Sequence, residues 1–146
     1  MIWWHQAWQA LWGHPELLDR TLGWYETVEP VAREIARRQG FDGVRWMKMT
    51  DPSGTEAPSN VGSFLIWQQP HFIYLAELVY RANPSDEVIK KYNHLVQETA
   101  KFMYSFATYD EFHGRFILKG AIPAQETLRA ATTINPPFEL SYWHYA

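Results

Sequence analysis

Two kinds of helical segment alternate along this chain, and the alternation limits what it can fold into. From Ile2 to Trp12, the apolar residues Trp3, Trp4, Ala7, Trp8, Ala10, Leu11 and Trp12 fall on more than one helical face. Such a helix is expected to be buried on both sides. The next segment, Pro15 to about Gln39, places Leu18, Leu22 and Tyr25 at helical spacing and leaves Asp19, Arg20, Glu34, Arg37 and Arg38 for a solvated face. Ser63 to about Arg81 is again apolar on several faces, through Phe64, Leu65, Ile66, Trp67, Phe72, Ile73, Leu75, Leu78 and Val79. Asp86 to about Thr108 confines Val88, Tyr92, Leu95, Val96, Thr99, Phe102, Met103 and Phe106 to one stripe. Phe138 to Ala146 begins a fifth, aromatic helix. Buried, striped, buried, striped, buried is the order that concentric rings of inner and outer helices require.

Breaker residues divide these segments. Gly13 closes the first helix, Pro15 and Glu16 suit the first turn of the second, and Gly40 is its natural stop. Pro30 is expected to kink or interrupt the second helix, and Pro70, inside Gln68-Gln69-Pro70-His71, to kink the third. Phe41 to Asn60 reads as a long loop, punctuated by Gly43, Pro52, Ser53, Gly54, Pro58 and Ser59. Long loops in compact domains tend to be functional, and this one carries Arg45, Trp46, Lys48, Asp51 and Glu56. Tyr109 to Lys119 reads as a short hairpin turning at 110–114, and Ile122 to Pro137 as a polar loop.

Composition narrows the function. Eight Trp, eight Tyr and eight Phe make up 16% of the 146 residues. Trp is broad and amphipathic, and with polar residues interleaved such an excess favours a sugar-binding cleft over a plain core. A net charge of -3 with no basic stripe argues against nucleic acid. With no cysteine there is neither a disulfide nor a thiolate metal site, and the six His lack metal-ligand spacing, so no metal or cofactor is expected. No apolar run is long enough for a membrane span. Met1-Ile2-Trp3-Trp4-His5 lacks the basic start of a signal peptide, and the compartment stays open.

Four segments together resemble one family. They are Trp3-Trp4-His5 with Trp12-Gly13-His14-Pro15-Glu16-Leu17-Leu18; Gly43-Val44-Arg45-Trp46 through Asp51-Pro52-Ser53-Gly54-Thr55-Glu56; Ala100-Lys101-Phe102 through Tyr109-Asp110-Glu111 and Gly114-Arg115-Phe116; and Ile122-Pro123-Ala124-Gln125-Glu126 with Asn135 and Phe138-Glu139-Leu140. In this order they resemble the catalytic barrel of the six-hairpin glycosidases, near the clan of the maltose, trehalose and kojibiose phosphorylases. The resemblance implies an all-α fold, part of an (α/α)6 toroid with about five of its twelve helices and one short β-hairpin. Residues 1–146 are then expected to be a partial catalytic domain, truncated at the C-terminus, with the same question open at the N-terminus. Exposed inner helices would allow a homo-oligomer.

Glycoside cleavage needs a carboxylic acid to protonate the leaving oxygen. The resemblance assigns this role to Glu126, with the base expected beyond Ala146. An oligosaccharide or glycoside is the expected substrate, and inverting hydrolysis the expected reaction. A phosphorylase of the clan and a non-catalytic glycan- or protein-binding module are the alternatives. Arg45, Trp46, Lys48 and Glu56 are candidates to hold sugar hydroxyls, a carboxylate or a phosphate. Gln68, Gln69 and His71 need hydrogen-bond partners on an otherwise apolar helix, and a sugar is one source of them. Asn135 is a candidate by position. Glu139 is either a further site carboxylate or a charge favoured by a helix N-terminus. In the glucose-processing phosphorylases the Trp4-His5 pair is Trp-Asp; His5 here points to a different sugar, one that a histidinium would suit if it were anionic.

Overall fold

A computed structural model describes residues 2–123 and 129–146. The fold is all-α with one short β-hairpin. The helices are α1 (Ile2–Leu11), α2 (Pro15–Arg38), α3 (His71–Ala82), α4 (Asp86–Phe106) and α5 (Pro137–Tyr145). A single 3-10 turn occupies Gly62–Phe64. Strands β1 (Thr108–Asp110) and β2 (Arg115–Ile117) pair antiparallel, with Tyr109 opposite Phe116.

Each striped helix buries the face its sequence marks. On α2, Leu18, Leu22, Tyr25, Val28, Ala32, Ile35 and Ala36 are buried, three or four residues apart until the last pair. Pro15 opens this helix, Glu16 lies in its first turn, and Arg37 and Arg38 lie in its last, all favourable against the helix dipole. The helix runs on through Pro30 without interruption. On α4, Ser85 caps the start, its hydroxyl accepting from the Val88 N–H at 3.3 Å. Tyr92, Leu95, Glu98, Thr99 and Phe102 are its buried residues.

The main core joins α1, α2, α3 and α4 around Leu18, Leu22, Tyr25, Phe72, Leu75, Tyr92 and Leu95. A second cluster gathers Ala36, Ile66, Phe102, Leu118, Ala121 and Trp143, and so ties α5 and the segment after the hairpin to the bundle. The Trp143 indole N–H donates to the Ile66 carbonyl at 2.9 Å. Each fully buried large apolar side chain contributes roughly 1.5–3 kcal/mol.

Besides the uninterrupted course of α2 at Pro30, several sequence expectations differ from the structure. The third helix starts at His71, not Ser63, and Pro70 precedes it rather than kinking it. Proline lacks the N–H that a helix interior needs, and it disfavours helical geometry in Gln69 before it. Residues 65–70 are therefore irregular. The first helix is not buried on both sides. It rests on α2 and α3 and leaves Trp4, Trp8, Leu11 and Trp12 exposed. Likewise α5 buries only Glu139 and Trp143.

The long loop between α2 and α3 is packed into the bundle at Val44–Trp46. Gly43 makes this possible: φ is +71°, and a Cβ there would lie 2.2 Å from the Glu98 carbonyl oxygen and 2.7 Å from the Phe102 nitrogen. Gly40 shares the left-handed backbone (φ +83°) but has open space around it. Gly40→Ala should therefore cost only the backbone term, about 1–2 kcal/mol. Gly43→Ala should cost about 1–3 kcal/mol more, because backbone has to move. Denaturant unfolding of the two variants measures the difference; equal losses would overturn the close-approach argument.

Candidate functional site

The loop from Val44 to Trp46 crosses the bundle with no regular partner strand, so its buried backbone groups need other partners. Mid-helix carbonyls supply two: Val44 N–H donates to Glu98 O at 3.2 Å and Arg45 N–H to Ala32 O at 3.0 Å. The Gln69 amide supplies two more. Its Nε2 donates to Val44 O at 2.7 Å and its Oε1 accepts from Trp46 N–H at 2.9 Å. Gln68 Nε2 donates to Trp46 O and to Leu65 O, both at 2.9 Å. Trp46 is fixed at its other end, its indole N–H donating to the Thr99 hydroxyl at 2.9 Å.

This arrangement lines a cleft of about 880 Å³ between α2, the loop and the start of α3. Its aromatic walls are Trp4, Trp24, Tyr25, Trp46 and Trp67, and its polar lining includes Arg45, Lys48, Asp51, Gln68 and His71. Trp4 stands at 78% exposure, while Arg45 is 1% exposed. Trp24 is anchored by its N–H to Pro52 O at 2.9 Å. The Asp51 carboxylate accepts from the Ser53 hydroxyl at 2.6 Å and from the Ser53 and Thr55 N–H groups. The Ser53 hydrogen bond leads in holding this carboxyl below its ordinary pKa, so Asp51 is an anion and not a proton donor at neutral pH.

Arg45 is the electrostatic centre of the cleft. Its guanidinium lies 5.0 Å from the centre of the Phe102 ring, and its Nη2 donates to the Leu65 carbonyl. Burial pulls its pKa down to about 10, which still leaves it charged at neutral pH. His71 is buried with Nδ1 3.0 Å from the Tyr142 hydroxyl, a link between α3 and α5. Burial pushes its pKa down to about 4, so the imidazole is neutral at pH 7.

The structure brings Trp4, Arg45, Trp46, Lys48, Gln68 and His71 together at the cleft. The remaining candidates lie elsewhere. His5 is exposed on α1, outside the cleft lining. Glu56 is bound to Arg38 at 2.7 Å and lines a separate shallow groove with Pro30 and Glu34. Gln69 is fully buried under the loop as a backbone clamp. Asn135 takes a left-handed backbone (φ +50°) and bonds Leu118 twice, accepting from its N–H at 2.8 Å and donating to its carbonyl at 2.7 Å. Glu139 is fully buried in the first turn of α5. Glu126 lies outside the described residues. Trp24 and Trp67 are cleft residues that the sequence reading left unassigned: Trp24 sits on a striped helix and Trp67 within an apolar run, so neither pattern marks them as lining.

A shallower depression of about 660 Å³ lies over Arg33, Gly43, Glu98 and Lys101. Three of its charges are paired with one another: Glu98 binds Arg33 at 2.6 Å and also Lys101. Among the described residues no group of His, Asp and Glu has the arrangement to hold a metal ion, and no helix is long and apolar enough to cross a membrane. No protein-family model matches this chain, and no curated protein matches its sequence.

The His71 environment sets a pH dependence. Its pKa is about 4 when folded, against an unperturbed 6.5, so the unfolded chain takes up the proton first. The neutral ring's contribution is then complete above about pH 6.5 and is lost as pH falls toward 4, at most about 3 kcal/mol. The His71 ring resonances should titrate near pH 4, and His71→Gln should flatten the stability profile between pH 4 and 6.5. A midpoint near 6.5 would overturn the burial argument.

Proposed function

We propose that this chain is part of an (α/α)6-type carbohydrate-active enzyme, with the cleft holding a sugar of a glycoside or oligosaccharide substrate and with glycosidic bond cleavage as the reaction. The observation that carries the reading is the cleft of about 880 Å³, where the indoles of Trp4, Trp24 and Trp67 stand beside Arg45, Lys48, Gln68 and His71. Flat aromatic faces accept the apolar face of a sugar ring, and the polar groups between them fix the hydroxyls. The two striped helices, α2 and α4, pack with α1 and α3 in one core, and the hairpin follows α4, in the order expected of a helical toroid.

The acid is assigned to Glu126 by its place in the sequence pattern. The one carboxylate among the described cleft residues, Asp51, is held ionised by its neighbours and suits hydroxyl binding rather than proton donation. Inverting hydrolysis is the preferred reaction, and phosphorolysis is the alternative within the same clan.

Two measurements test the reading on the native protein. Titrating it with a panel of glycosides and oligosaccharides should quench or shift tryptophan emission, and Trp67→Ala should weaken that binding at least about tenfold, since loss of an aromatic anchor costs roughly 1–3 kcal/mol. Turnover of the sugar that binds should fall by a factor of about 100 to 10,000 in Glu126→Gln. Cleavage that depends on added phosphate would replace hydrolysis with phosphorolysis. Binding without turnover would leave a glycan-binding module, and no response to any sugar would overturn the proposal.

A further inference from the structure

The cleft holds a buried positive charge that the described part of the protein leaves without an ion pair. Arg45 is 1% exposed, and no carboxylate among the described residues pairs with it. The acidic residue whose field reaches it, Glu56, is bound to Arg38 at 2.7 Å. Two of its N–H groups, at Nε and Nη1, are buried and meet no acceptor. The Trp67 indole N–H in the same lining is also buried without an acceptor. Gln68 cannot turn to serve them as a donor-acceptor mediator, because its Nε2 is committed to Trp46 O and Leu65 O. That geometry leaves Gln68 Oε1, like His71 Nε2 in the same lining, buried without a partner.

Buried polar groups in proteins are nearly always satisfied, and buried charges are nearly always compensated. Sugar hydroxyls would satisfy the N–H groups but would leave the charge. An anionic oxygen does both, through a charge-assisted hydrogen bond from one of the two free N–H positions, Nε or Nη1. Within the lining, Asp51 is the only described carboxylate, and its Oδ1 already accepts from Ser53 and Thr55.

We infer that the sugar bound in this cleft carries an anionic group, a uronic acid carboxylate or a phosphate ester, seated on the Arg45 guanidinium beside the Trp67 N–H. This deepens the carbohydrate reading and rests on it. The anion is read by a buried arginine at the cleft, and not by His5, which lies outside it. Gln68 Oε1 accepts from a hydroxyl of the same ring, so the site selects an anionic sugar and not a bare anion.

Calorimetry on the native protein with charge-matched twins is the test. Methyl glucuronide and methyl glucoside, in both anomers, form one pair; glucose 6-phosphate and glucose form the other. The anionic twin of one pair should bind at least about tenfold tighter, as a hydrogen-bonded charge pair predicts, and the pair that shows it separates carboxylate from phosphate. Arg45→Gln should reduce the preference to less than about threefold. Should that variant not fold, the Arg45 Nε–H resonance of the wild-type protein gives the same answer, shifting with the anionic twin and not with the neutral one. Equal affinity within both pairs would overturn the anionic site and leave the carbohydrate reading intact. A preference that Arg45→Gln leaves unchanged would overturn the assignment to Arg45. Binding of no sugar at millimolar concentration, with inorganic phosphate still bound, would overturn the carbohydrate reading and the sugar-borne anion with it.

Discussion

The hydrogen bonds that two adjacent glutamines make to a stretch of loop backbone hold the site together. Val44, Arg45 and Trp46 run through the bundle as irregular loop backbone with no sheet to join. Gln69 bonds that backbone as a neighbouring strand would, giving an N–H to Val44 and taking one from Trp46. Gln68 completes the pattern at the Trp46 carbonyl. An unpaired buried backbone group costs about 1–3 kcal/mol, so these few bonds decide whether the loop lies inside or outside. With the loop inside, Arg45 is forced under the cleft and Trp46 into the core against Tyr25 and Phe72.

The same clamp explains why α3 begins where it does. The residues that hold the loop are the two before Pro70, and they are free to turn their amides toward it because they are not helical. Pro70 thus separates a polar, irregular segment that builds the site from an apolar helix that builds the core. His71, just past it, belongs to both: it lines the cleft and reaches Tyr142 on α5.

Much of the scaffold was legible in the sequence, and the reasons are local. The stripes on α2 and α4 follow from helical spacing, and the hairpin follows from strand-like residues on either side of a turn ending in Gly114. The long loop was legible from its Gly and Pro content, and its site-like residues do gather at the cleft in the case of Arg45, Trp46 and Lys48. What could not be read depends on contacts distant along the chain. Nothing in the residues around Gln69 shows that its partners lie 23 and 25 positions upstream. Nothing near Glu56 shows that Arg38 takes it away from the cleft. The apolar faces of α1 read as buried, but burial depends on what packs against them, and α2 and α3 cover one side only.

Asn135 gives the fold a further property. Its two hydrogen bonds to Leu118, with the antiparallel bridge between Lys119 and Ile134 beside them, fasten together the two ends of the segment from 119 to 134. A segment whose ends are tied to each other is a ring closed onto the scaffold. Doubling the length of such a ring costs only about 0.6 kcal/mol of closure entropy. The closure itself therefore depends little on the number of residues between the fastenings, while the buried Ala121 and Ile122 and the Ile122 N–H bond to Phe64 O at 3.0 Å hold the start of the segment on the bundle.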